Sequence, residues 1–288
     1  MTLVCTFNLL RGQAINAIEI FSNTHGIRQE GTTFYEVEGY TIFVQSHRAS
    51  FDDKGFKKIK KKYSINKEIS PVIDTAFQKA RVFVKTQVRT KKITESGIIY
   101  LFPQGPSEII VIGLQTTLGR DEALEKFFVK SILENSIPNS VYTTMEVDGI
   151  RIAGRFIELG PGCYWMSTHN VQCPNLGQMN WSEFRNIDKA KEMVDAQSDI
   201  TAGKSIGQLL EQDSIKVIFE GKETQALRMK YKLKVPQVIM GGSNILIIYY
   251  VVAEVRGKYV ACVLSHYDDE IVRNTLPPLL KEIMSLRE

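Results

Sequence analysis

Leu124, Phe127, Phe128, Ser131 and Ile132 fall at i, i+3, i+4, i+7 and i+8, the spacing of one helix face, and predict a helix over residues 121–135. Near the end of the chain Ile271, Leu276, Leu279, Leu280, Ile283 and Met284 predict a closing helix. Pro277-Pro278 marks its start, because proline is tolerated in a first turn and not beyond it. Ser70-Pro71 carries the same signal, with Ser as N-cap, and predicts a helix to about residue 80. Residues 182–196 also read as helical, and residues 15–22 fit either helix or strand.

The remaining apolar runs are short, rich in Val, Ile, Phe and Tyr, and broken by Gly-containing turns, so they read as strands. Runs 34–37 and 40–45 flank Glu38-Gly39, and runs 98–102 and 108–114 flank Pro103-Gln104-Gly105-Pro106. Runs 215–220 and 224–235 flank Gly221-Lys222, and runs 245–255 and 258–265 flank Arg256-Gly257. Residues 82–88 form one more strand-like run. Hairpins outnumber strand–helix–strand crossovers, which predicts the α+β class, with antiparallel sheets packed against helices.

The pattern also recurs. Glu36-Val37-Glu38-Gly39 reappears as Glu146-Val147-Asp148-Gly149, and each occurrence leads through strand-like runs to an amphipathic segment. Two tandem α+β copies are therefore expected, over residues 15–140 and 141–288, the second lengthened by an insertion at 160–203. The order hairpin, central strands, hairpin, terminal helix is loosely similar to small antiparallel-sheet domains of the Mog1/PsbP type, an analogy of topology alone.

Composition adds boundaries. With 288 residues, 43% hydrophobic and 24% charged, the chain suits two folded domains and not a disordered one. No apolar run approaches the roughly 20 residues of a membrane span. Residues 1–140 hold 19 Lys+Arg against 14 Asp+Glu, whereas the rest holds 17 against 18. The excess is local: six lysines lie between Lys54 and Lys62, and Lys57, Lys58, Lys60, Lys61 and Lys62 form a candidate polyanion contact. A nucleic-acid partner is not expected, since such a binder spreads basic charge over a face.

At the N-terminus, residues 3–10 followed by Arg11-Gly12-Gln13-Ala14 read as a signal peptide cleaved after Ala14, or as a first strand. Export to the periplasm or outside is the favoured reading over a cytoplasmic location. Cys163 and Cys173 sit ten apart in a Gly/Pro/Asn-rich stretch, which suits a loop-closing disulfide in an exported protein. With His169 they would offer three zinc ligands, but no close cysteine pair exists, so no metal and no cofactor is expected. Cys163 is also a candidate nucleophile with His169 or His266 as base and Asp268 orienting it, the catalytic alternative of a Cys/His-dependent hydrolase. Ala202-Gly203-Lys204-Ser205 resembles the end of a P-loop, yet Ser198 stands where the pattern needs glycine. Tyr164, Trp165 and Trp181 bracket the 160–181 stretch and offer aromatic contact to a protein or glycan. The leading expectation is a non-catalytic, two-copy binding or assembly protein that works through this stretch.

Overall fold

Four tight turns place a residue and the glycine after it at positive φ: Glu38-Gly39, Ala153-Gly154, Glu220-Gly221 and Arg256-Gly257. This is the type I′ pattern, whose twist matches the strands it joins. The turns at 38 and 256 fall where the sequence signals put them, and the third lies one residue earlier. The computed structural model describes residues 15–29, 31–77, 80–88, 93–143, 148–160, 162–173, 177–203, 206–235, 243–267 and 275–287.

The first half runs α1 (Ala17–Ser22), β1 (His25–Gln29), β2 (Thr32–Val37), β3 (Tyr40–Arg48), α2 (Asp53–Lys62), β4 (Val72–Ile73) and β5 (Arg81–Val88). It continues with β6 (Thr94–Pro103), β7 (Glu108–Thr116), α3 (Glu122–Leu133), a 3-10 turn at Asn139–Val141, and β8 (Tyr142–Thr143). The strands form one sheet in the order β4-β5-β6-β7-β3-β2-β1-β8, antiparallel except where β8 joins β1. A two-stranded hairpin, β9 (Gly149–Ile152) and β10 (Arg155–Glu158), leads into the second half.

That half runs β11 (Tyr164–Ser167), β12 (Asn170–Cys173), β13 (Gly177–Phe184), α4 (Ile187–Gly203), β14 (Gly207–Phe219) and β15 (Lys222–Leu233). Then come β16 (Ile245–Val255), β17 (Lys258–Tyr267), α5 (Pro278–Lys281) and β18 (Met284–Leu286). Its sheet order is β11-β12-β13-β17-β16-β15-β14-β18. Each half is thus three strands, a helix, then four strands whose last returns to pair with the third, β7 on β3 and β17 on β13.

This correspondence corrects the expected repeat. Residues 160–203 are not an insertion; they hold β11, β12, β13 and α4, the counterparts of β1, β2, β3 and α2. The Glu36–Gly39 match points instead at the β9–β10 hairpin, with residues 144–147 outside the described residues. The second string ends where β9 begins, and the tight turn follows four residues later at Ala153-Gly154, so the two strings do not occupy equivalent places. Three further expectations change. Residues 70–77 are no helix: Val72 pairs with Val82, and the Asp74 carboxylate accepts from Ala76 and Phe77 N–H, a local turn that competes with helix. The 182–196 helix begins only at Ile187, because β13 runs through Phe184. The closing helix is one turn, Pro278–Lys281, after which Met284–Leu286 adds a strand to β14; Ile271 lies outside the described residues.

Helices cover corresponding faces. Helix α2 is fixed by its Asp52 cap, which accepts from Gly55 N–H at 2.9 Å, and by lysines in the last turn that oppose the helix dipole. It buries Phe56 and Ile59 against Phe83, Ile99, Leu101, Ile109 and Val111, worth about 1.5–3 kcal/mol for each of the two side chains. In the second half α4 covers Met229, Tyr231, Ile248, Tyr250 and Ala261. The opposite face is covered by α1 and α3 in the first half, and by the β9–β10 hairpin and α5 in the second. Docking of α2 leaves no room at Gly55, where a Cβ would lie 1.8 Å from the Ser50 carbonyl oxygen. Gly55→Ala is expected to lower stability by at least about 2 kcal/mol in urea titration; an unchanged midpoint would mean that α2 docks otherwise.

Candidate functional site

Two places gather polar chemistry: the β11–β12 hairpin and the seam where the halves meet. In the hairpin, Cys163 and Cys173 form a disulfide, with Cα atoms 4.1 Å apart. This removes Cys163 as a thiolate nucleophile and as a zinc ligand. Cys262 is a free cysteine, but it is fully buried and its thiol is pushed up by burial and by the Glu220 charge. Such a thiol is inert. No group of three or more His, Cys, Asp or Glu side chains able to hold a metal occurs among the described residues.

Beside the disulfide, Trp165 packs on the fully buried Trp181, ring centroids 6.0 Å apart. The two tryptophans therefore staple the hairpin to the core, while Tyr164 and Met166, alternate residues of β11, are 45% and 53% exposed. Strand β11 is the outermost of its sheet. The expected set of contact residues thus divides: Tyr164 faces outward, Trp165 and Trp181 do not.

His169 occupies the β11–β12 turn. Its carbonyl accepts from Trp181 N–H, and Nδ1 lies 3.1 Å from the Thr168 hydroxyl. Burial, and His25 nearby, pull it down to about 3, so the imidazole is neutral. His266 is far along β17, stacked on Tyr249 with Nδ1 against the Tyr267 carbonyl; Asp268 lies outside the described residues, as do Lys204, Ser205 and the 3–14 segment. Among the described residues, the Cys163 member of the expected hydrolase constellation is taken up in the disulfide. Lys57, Lys58, Lys61 and Lys62 are exposed on α2, and Lys60 bends back to the Lys67 carbonyl. No described helix is long and apolar enough to cross a membrane.

At the seam, strands β1 and β2 of the first half meet β13, α4 and the His169 turn of the second. Arg185 donates from its backbone and guanidinium to Glu38, and Lys258 donates to the Ser22 carbonyl and to Glu183. Glu183, 2% exposed, also accepts from Ala153 N–H at 2.6 Å. His25 stands 3.9 Å from Glu183 and edge-on to Trp181. Gly39 is required here, since a Cβ would lie 2.8 Å from both Leu118 and Met193, besides the positive φ. Two openings border this turn. A cleft of about 620 Å³ is lined by Tyr40 and Asp121 of the first half and Arg185 and Lys189 of the second. A smaller cavity of about 220 Å³ is lined by Glu36, His169 and Ser182.

Glu36 is the most perturbed carboxyl of the seam. Burial pushes it up to about 8, against the pull of the Ser182 hydroxyl and the Gly39 N–H. One of its oxygens, Oε2, is buried and makes no hydrogen bond of good geometry. Sequence reasoning passed over Glu36, Ser182 and Glu183. The signal was present: carboxylates within Thr-Phe-Tyr-Glu-Val and Trp-Ser-Glu-Phe stand at strand positions that apolar residues normally fill.

No family model matches the chain, and no curated protein matches it. Among solved structures, a protein from Bacteroides thetaiotaomicron VPI-5482 is similar at 7% identity and TM-score 0.25, covering 71% of this chain and 80% of that one. The di-domain ARO/CYC BexL from the BE-7585A biosynthetic pathway is similar at 10% identity and TM-score 0.16, covering 79% and 70%. The di-domain ARO/CYC StfQ from the steffimycin biosynthetic pathway is similar at 8% identity and TM-score 0.14, covering 89% and 75%. Superpositions this loose transfer no site.

Proposed function

We propose that the protein is a non-catalytic, two-copy binding or assembly component, exported from the cytoplasm, that engages a protein partner along β11. The observation that carries this reading is an outermost strand with two exposed apolar side chains, Tyr164 and Met166, held rigid by a disulfide at its base. An edge strand offers unpaired backbone N–H and C=O groups, and side chains at alternate positions give selectivity, which is how extended segments add to sheets. Because Trp165 anchors the inner side, β11 is presented already ordered, which lowers the entropy lost on binding. The disulfide supports an oxidising compartment. The disulfide withdraws the Cys163 thiolate on which the hydrolase alternative depends.

The test compares the full chain with Tyr164→Arg/Met166→Arg as baits in the envelope fraction of the cells that make it. The wild type is expected to retain a discrete partner that the double variant, folded by circular dichroism, loses. Retention of the same partner by both, or no partner with either, would contradict the reading.

A further inference from the structure

The seam cavity lies outside the β11 surface, and most of its lining residues are polar. It opens between the halves, so neither half contains the site alone: Glu36, Thr41 and Gln115 come from β2, β3 and β7, and His169, Ser182 and Gln197 come from the second half. Its volume, about 220 Å³, is too large for one ordered water and below the roughly 300–1,000 Å³ of drug-sized pockets. No lysine or arginine lines it, so nothing there would neutralise a phosphate or carboxylate.

Glu36 supplies the directional element. Its side chain is 1% exposed, Oε1 accepts from Gly39 N–H at 3.3 Å, the Ser182 hydroxyl lies close enough to pull on the carboxyl, and Oε2 makes no hydrogen bond of good geometry. A buried polar atom left unmatched costs about 1–3 kcal/mol, so such an atom beside a cavity is met by a water or by a hydrogen-bonding group of a ligand. The surrounding polar groups are hydroxyls of serine and threonine, amides of glutamine, each able to give and to take a hydrogen bond, and the carboxyl group of Glu95; Met193 and Ile200 complete the lining. His169 joins them as a neutral ring with Nδ1 already engaged by Thr168. A ligand hydroxyl, both donor and acceptor, matches every member of this set. An ammonium group only donates, so it would use the acceptor side of this set alone and leave the glutamine N–H donors unmatched, and no three carboxylate, imidazole or thiolate groups converge for a metal among the described residues.

We propose that the seam cavity lined by Glu36, His169 and Ser182 binds a small, uncharged polyhydroxyl molecule, a polyol or monosaccharide, through hydrogen bonds from both halves. Glu36 binds it as the carboxylic acid. Gln is its neutral mimic and Leu its apolar one, which sets the discriminating variants.

Titration calorimetry on the full chain at pH 6 uses xylitol and D-xylose as neutral probes, ethanolamine as a cation and inorganic phosphate as an anion. Saturable binding of a neutral probe is expected, kept within about threefold in Glu36→Gln and weakened at least tenfold in Glu36→Leu. Gln197→Leu, on the half-buried side of α4, is expected to weaken it severalfold and guards against misfolding of the Glu36 variant. Raising the pH to 9 weakens the wild type and spares Glu36→Gln. The proposal is overturned if neither neutral probe binds the wild type at millimolar concentration, or if phosphate binds. It is equally overturned if ethanolamine binds and Glu36→Gln abolishes that binding, since the site would then hold a cation.

Discussion

Glu36→Gln raises the stability of the folded chain at pH 8 and above, and leaves it nearly unchanged below pH 4.5. The cause is the buried position of the carboxyl, which is raised from 4.5 to about 8 in the folded state. The folded chain holds this proton more tightly than the unfolded one, so the contribution of Glu36 is complete below 4.5 and is lost as pH climbs from 4.5 to about 8. The rise from 4.5 to about 8 sets an upper bound of roughly 5 kcal/mol on the loss, which a permanently neutral Gln does not incur. His169 acts with the opposite sign. Its imidazole falls from 6.5 to about 3, so its contribution is complete above 6.5 and is lost as pH drops toward 3. The two slopes offset each other between 4.5 and 6.5, and the wild type is expected to show a stability plateau there with a decline on either side. Urea titrations at pH 5, 6.5 and 8.5 read this directly. A Glu36→Gln variant destabilised equally at all three would mean that the carboxyl is not buried as the acid.

Removing the disulfide is expected to have the second large effect. The bridge closes a segment of ten residues' separation, for which chain entropy predicts about 2.5–3 kcal/mol of stabilisation. Cys163→Ser/Cys173→Ser should therefore lower the melting temperature by several degrees. The loss should be local first, because β11 is the sheet's outer strand and β12 its link to β13. Hydrogen exchange is expected to rise over 164–173 while β16 and β17 stay protected. Thiol labelling of the folded wild type should proceed slowly at Cys262, which is fully buried. Unchanged exchange in 164–173 would mean that tryptophan packing alone holds the hairpin.

The hairpins were legible in the sequence because their information is local: Glu38-Gly39 and Arg256-Gly257 state a backbone conformation that few other dipeptides accept. Helix α3 was equally plain, since its apolar stripe is long and uninterrupted. What failed was pairing at a distance. Val72 and Ile73 look like the second and third residues of a capped helix until Val82 lies beside them. Met284–Leu286 continues a helical pattern until β14 offers it an edge. The strand arrangement the two sheets share was not visible in the 36–39 and 146–149 match, since strand order is a property of three-dimensional pairing. The Cys163–Cys173 bridge was among the readings spacing allowed. The seam was hidden for a further reason: Glu36 and Ser182 are 146 residues apart in the chain, and their chemistry arises only when the two halves pack.

The central claim, that β11 is the surface through which this protein works, is tested most directly by photo-crosslinking from position 164 in the cells that make it. A photoreactive phenylalanine derivative replacing Tyr164 is expected to give one protein adduct of defined mass, while the same group at Lys58 on α2 gives none. No adduct from position 164, or the same adduct from position 58, would contradict the account.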